Sequence, residues 1–182
     1  MEFTLFYKGI IKSGNHNSVE NKNDIRQKIH EQLVTLRNYP PLNIRADLFK
    51  KSEFPDFHKT VNKYDFFFLV SDKWNMYVEL DLKILIPHDY KGFGDIDNKL
   101  KTLFDALRPP KDSSELPSSW TPTSTQNPML CLLEDDDLIF KVNIDTDYLL
   151  DTTLTENGEI IIIINVKVKG NSGQIGILDL II

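Results

Sequence analysis

The chain of 182 residues is 41% hydrophobic and 26% charged, proportions that exclude a disordered or fibrous chain and allow a substantial core. Its single cysteine, Cys131, excludes an internal disulfide, and no run reaches the ~18–20 apolar residues of a membrane-spanning helix. The formal net charge of −6 opposes a surface built throughout for phosphates, but residues 1–63 carry 11 Lys+Arg against 7 Asp+Glu and the remainder 10 against 20, so the first third is the expected place for phosphate contacts. The start, MEFTLFYKGI, shows no basic leader followed by a long apolar segment, and a cytoplasmic protein is expected.

In chain order, Phe3, Leu5 and Tyr7 alternate with polar neighbours and predict a strand over 2–8. Gly9 and the polar run 13–18 break it. Ile25, Ile29, Leu33 and Leu36 keep one apolar stripe, which predicts a helix over 19–36 with Asn23 as an N-cap and Tyr39-Pro40-Pro41 as its stop. Residues 42–62 have mixed composition and are expected to form a surface excursion. Residues 64–70 and 76–86, separated by SDKWN, predict a β-hairpin. In its second strand Val78, Leu80, Leu82, Ile84 and Ile86 alternate with Glu79, Asp81 and Lys83, so one side packs on a core and the other is wet.

Leu100, Leu103, Phe104 and Leu107 then recur at helical spacing and predict an amphipathic helix over 97–107. The stretch 109–128 holds five prolines among serines and threonines, and no regular element is expected there. A loop of that length is a binding loop, a lid or disordered. Strands are expected over 138–150, 159–168 and 175–182, with a turn at Asn157-Gly158. Strands this apolar must be central or covered by a partner. The whole order predicts one α/β (α+β) domain, a mixed β-sheet with two or so helices packed on it.

Two acidic clusters stand out. Asp95 and Asp97 lie directly before the second helix, and in an extended segment they point to the same side, roughly 6.5–7 Å apart, close enough to share a divalent cation. Asp97, Lys101 and Asp105 recur every fourth residue on one side of that helix. Four consecutive acids, Glu134-Asp135-Asp136-Asp137, follow the apolar run MLCLL. They suit either a solvated turn or a bound cation that relieves their repulsion. Oxygen ligands without histidine or paired cysteines favour Mg²⁺ or Mn²⁺ over zinc. A calcium-binding EF-hand loop fails on spacing, since Lys99, Leu100 and Ala106 stand where its third ligand, glycine and glutamate are needed. The plain alternative is that Asp97 caps the helix, worth ~1 kcal/mol.

The ordered pair of motifs GDIDNKLKTLFDAL and EDDDLI resembles the RusA family of Holliday junction resolvases, whose pattern is D-x-D-N, a lysine four residues after the second Asp, D-A-L one turn on, and later D-D-x-x-I/V. The resemblance covers residues 94–107 and 134–139 by motif and the rest by element order alone. It implies that Asp95, Asp97 and Asp136 are metal-binding catalytic acids and that Lys101 is the catalytic lysine. A slip of one residue would exchange Asp136 for Asp137. Glu134, Asp135 and Asp105 would stand behind them as supporting groups. It further implies a homodimer with Mg²⁺, replaceable by Mn²⁺, cutting branched DNA such as four-way junctions. Segments 40–62 and 109–128 look like insertions, and the acidic balance departs from basic resolvases. Those departures keep a second reading open, a catalytically silent RusA-like module that binds DNA or protein. A DxD glycosyltransferase ranks last, because the chain lacks the length and βα repeats of a nucleotide-sugar domain.

Weaker signals carry less. Asp145-Thr146-Asp147 sits in an alternating strand pattern that suits solvent-facing acids, and the four histidines show no ligand spacing. Trp120 suits either stacking on an unpaired base or packing against the domain.

Overall fold

A computed structural model describes residues 1–12, 18–90, 94–156 and 158–170. The strands are β1 (Glu2–Gly9), β2 (His58–Val61), β3 (Tyr64–Val70), β4 (Met76–Pro87), β5 (Met129–Leu133), β6 (Ile139–Leu149) and β7 (Ile160–Gly170). The α-helices are α1 (Ser18–Leu36) and α2 (Ile96–Leu107). The fold is α+β, as the element order predicts. Its strands form two mixed sheets rather than one, a four-stranded sheet in the order β1-β7-β4-β6 and a three-stranded sheet in the order β2-β3-β5.

Alternation sets the large sheet. Met76, Val78, Leu80, Leu82 and Ile84 are buried while the residues between them are half-buried, so β4 offers one face to the core. The isoleucine run of β7 lies between β1 and β4, antiparallel to both, the central one of the two placements open to so apolar a strand. β6 runs parallel to β4 on its other side. One apolar cluster joins residues of both sheets with Ile25, Ile29 and Leu33 of α1 and Leu100, Leu103 and Leu107 of α2. A smaller cluster of Val61, Phe66, Phe68, Met129 and Cys131 lies under Tyr64, Leu116 and Trp120. Among the described residues no helix is long and apolar enough to cross a membrane.

Four expectations need correction. The hairpin over 64–86 does not form. β3 is flanked by β2 and β5, and β4 by β7 and β6, so neither has an edge left for the other. A single 3-10 turn, Asp72–Trp74, followed by Asn75 at φ +51°, instead carries the chain between sheets. The segment 42–62 is not a surface excursion, because Leu42, Leu48, Phe49 and Phe57 are buried and it contributes β2. The rings of Phe49 and Phe57 lie 4.5 and 6.2 Å from that of Phe67, and aromatic burial of this kind outweighs mixed composition.

Asn23 lies inside α1, five residues past its first residue, and is buried. The loop 109–128 contains single 3-10 turns at Ser113–Glu115 and Ser124–Gln126, the second closed by a reciprocal capping box between Thr123 and Gln126. Trp120 packs edge-on against Tyr64 at 5.3 Å, the domain-facing of its two options. Gly158 has φ +83°, the left-handed conformation its turn requires. Asn157 and the strand expected over 175–182 lie outside the described residues.

Candidate acidic site

The first acidic cluster is built on the start of α2. Asp95 is its N-cap, accepting from the backbone N–H of Asp97 at 3.2 Å and from the Asn98 amide at 2.9 Å. The capping acid is therefore Asp95 and not Asp97. Buried contacts hold the helix in place. Lys99 donates to the Ile11 carbonyl, and the Thr102 hydroxyl to that of Lys12 at 3.1 Å. Burial lowers the Lys99 pKa below that of an ordinary lysine.

Asp97 and Lys101 are exposed one turn apart, and neither side chain has a hydrogen bond or ion pair among the described residues. Asp105, next in that row, is buried. Lys22 and Arg108 each reach its carboxylate at 2.6 Å. Burial raises the Asp105 pKa, and the hydrogen bond from Lys22 with the charge of Arg108 more than offsets this, leaving it below the ordinary carboxylate value.

The second cluster is a 3-10 turn at Asp136–Leu138, between β5 and β6. Glu134 accepts from the Ser71 hydroxyl at 2.8 Å and the Asp72 N–H at 3.0 Å, which ties the turn to the end of β3. Asp135 and Asp136 lie 3.9 and 4.0 Å from the Lys111 ammonium, and Asp137 is exposed. Glu134, Asp135 and Asp137 border a cleft of about 570 Å³ shared with His58 and Lys59.

Arg108, which sequence reasoning passed over, organises this end. Its side chain is 2% exposed and donates to Asp136 at 3.0 Å, Asp105 at 2.6 Å, Glu115 at 2.9 Å and the Pro109 carbonyl at 3.0 Å. Buried Arg26 of α1 completes the knot, donating to the backbone carbonyls of Arg108 and Asp105. A signal was present. Arg108 stands four residues after Phe104 and eight after Leu100, the position that would continue the apolar stripe of α2 past its end, where a buried charge is tolerated only when paired.

These placements separate the two clusters. Asp95 and Asp97 begin α2, while Asp136 pairs with Arg108, the residue that follows the helix and whose backbone stands about 16 Å along the axis from Asp97 at 1.5 Å per residue. Topology explains it. β6 runs parallel to β4 with Ile139 beside Val78, so the 135–137 turn lies at the start of β4, whereas α2 is entered from β4's far end. Among the described residues no group of three His, Cys, Asp or Glu side chains is placed to hold a metal ion. Among the described residues Asp95, Asp97 and Asp136 do not form one such group.

The remaining fit is narrower. Mg²⁺ is commonly held by one or two carboxylates, with water and substrate phosphate completing its shell. Asp95 and Asp97 are exposed and suit that arrangement, the cap engaging only part of the Asp95 lone-pair capacity. Asp136, with one oxygen committed to Arg108, does not join them. Compared with family models, with curated proteins and with solved structures, the chain matches none.

Proposed function

We propose that this chain is a cytoplasmic, divalent-metal-dependent endonuclease of the RusA type, acting on branched DNA and working as a homodimer. One observation carries the reading. Two carboxylates and a lysine amine one turn on, in the order of the resolvase motif, stand exposed at the start of a helix whose opposite face is buried. The helix N-terminus adds a partial positive charge, which favours both the acids and an approaching phosphate. Mg²⁺ bound there would polarise a phosphodiester and lower the pKa of an attacking water. Asp95 and Asp97 would hold the ion, and Lys101 would stabilise charge growing on the phosphate. Asp105 and Asp136 act through Arg108 as supports for the helix end and the 135–137 turn.

Incubation with labelled four-way junctions, flaps and duplexes in Mg²⁺ tests this. Structure-selective nicking is expected from the native chain and none from Asp97→Asn. Titration with Mn²⁺ separates the ligands, with affinity lost in Asp97→Asn and retained in Asp136→Asn. Nicking that survives Asp97→Asn contradicts the assignment. A second reading, the catalytically silent module, is favoured by the neutralisation of Asp136 by Arg108. It predicts DNA binding indifferent to Mg²⁺, without product.

A further inference from the structure

The four-stranded sheet has two outer edges, and the fold treats them differently. At β1 the side-chain amide of Gln32 accepts from the Phe6 N–H at 2.8 Å and donates to the Phe6 carbonyl at 2.7 Å, standing where a further strand would pair. At β6 no strand lies on the outer side among the described residues. This edge is 11 residues long. Ile144 is 42% exposed on it, Phe140 78% and Tyr148 70%. A long open edge with exposed apolar side chains is a template for another strand, and proteins ordinarily blunt it.

The chemistry of β6 says which strand fits. Residues 141–147 read Lys-Val-Asn-Ile-Asp-Thr-Asp, and this order is complementary to its own reverse. Laid antiparallel on a second copy with Ile144 opposite Ile144, the strand sets Lys141 against Asp147, Asn143 against Asp145 and Val142 against Thr146. A parallel copy in register would instead set each charge against itself, which is destabilising.

The faces agree as well. β6 registers Val142 with Leu80, Ile144 with Leu82 and Thr146 with Ile84, so these three continue the apolar face of β4. Lys141, Asn143, Asp145 and Asp147 lie on the other face, where Lys83 reaches Asp145 at 2.6 Å and Asp147 at 3.1 Å. A partner's Lys141 would bring a second cation to these two acids.

We propose that β6 is the surface through which two copies of this chain associate, antiparallel about a two-fold axis at Ile144, joining two four-stranded sheets into one. Such an interface is isologous and closes on itself. The inference specifies the homodimer named above but stands on the edge strand, not on the acids. A dimer that does not cut DNA, or a monomer that does, separates the two proposals.

Sedimentation equilibrium and cysteine cross-linking of the full chain test it. The native chain is expected to be a dimer, Lys141→Asp a monomer at the same concentration, and Lys141→Asp/Asp147→Lys a dimer again. Circular dichroism checks that each variant is folded. Directly opposed residues in an antiparallel pair have Cα atoms ~4.5–5.5 Å apart, within disulfide range. Ile144→Cys should therefore oxidise to a covalent dimer. Asn143→Cys should not, its own copy lying two residues out of register at roughly 8 Å. Cys131 is buried and does not interfere. A monomeric native chain, whether the edge is covered by residues 171–182 or left for an extended peptide of another protein, overturns the proposal. So does a dimer that Ile144→Cys fails to cross-link.

Discussion

Replacing Arg108 by methionine keeps most of the side-chain volume and removes the charge that three carboxylates share. The side chains of Asp105, Glu115 and Asp136 are 10%, 22% and 33% exposed, so the loss is graded. Removing one partner of a buried ion pair costs about 3–5 kcal/mol. Here Asp105 keeps Lys22 at 2.6 Å, Glu115 keeps the Lys111 N–H at 2.9 Å, and Asp136 has access to water. The lower end applies, about 3 kcal/mol, or roughly 6–12 °C in Tm for a chain of this length.

The effect depends on pH in a defined direction. Burial raises the pKa of both Glu115 and Asp105; on Glu115 the hydrogen bonds from Arg108 and the Lys111 amide more than offset it, and on Asp105 the hydrogen bond from Lys22 and the charge of Arg108 do, leaving both carboxyls below their ordinary values. A carboxyl depressed in the folded state contributes stability above its unfolded pKa of about 4, and that contribution is lost as pH falls through the folded value. Urea unfolding near pH 7 should therefore show the full gap between the native chain and Arg108→Met, and unfolding near pH 3 a smaller one. A gap below about 1 kcal/mol near pH 7, the size of an ordinary substitution, refutes the claim that Arg108 ties α2 to the 135–137 turn.

Phe57→Ala removes a ring 2% exposed and stacked 5.7 Å from that of Trp74. Urea unfolding should show a loss of about 3–5 kcal/mol, whereas a surface residue would cost almost nothing. Asp95→Ala should cost about 1 kcal/mol through loss of the N-cap, while exposed Asp97→Asn should stay within about 0.5 kcal/mol. The same unfolding curves measure both. His30 is buried, with Nδ1 accepting from the Leu130 N–H at 2.9 Å and Nε2 facing the Thr125 carbonyl at 3.1 Å, an arrangement that suits the neutral ring carrying its proton on Nε2. Burial lowers its pKa, so the stability it contributes is present above the unfolded value of about 6.5 and is lost as pH falls below it. The drop in the urea midpoint between pH 7.5 and 5.5 should be smaller in His30→Gln.

Local pattern was enough for the elements whose burial is one-sided. The alternation of Val78, Leu80, Leu82 and Ile84 and the stripe of Leu100, Leu103 and Leu107 appear in the fold as expected, because period 2 and period 3.6 are properties of the chain itself. The isoleucines of β7 called for a central strand or a covering partner, and the fold places β7 between β1 and β4. Where a residue's fate depends on what lies across the fold, composition misled. Phe49 and Phe57 look like parts of a surface excursion until Phe67 stands beside them, and β3 and β4 look like a hairpin until β2, β5, β6 and β7 take their edges.

The candidate site divides in the same way. Which side chains carry oxygen ligands, and that Asp95, Asp97 and Lys101 gather at one helix start, was determined by the order of seven consecutive residues. Whether acids some forty positions apart meet was a question for the tertiary structure. The parallel pairing of β6 with β4 puts the 135–137 turn at the opposite end of α2, where Arg108 neutralises Asp136. Contact between distant segments is set by strand order and by which charges can be buried together, and neither has a local signature in the chain.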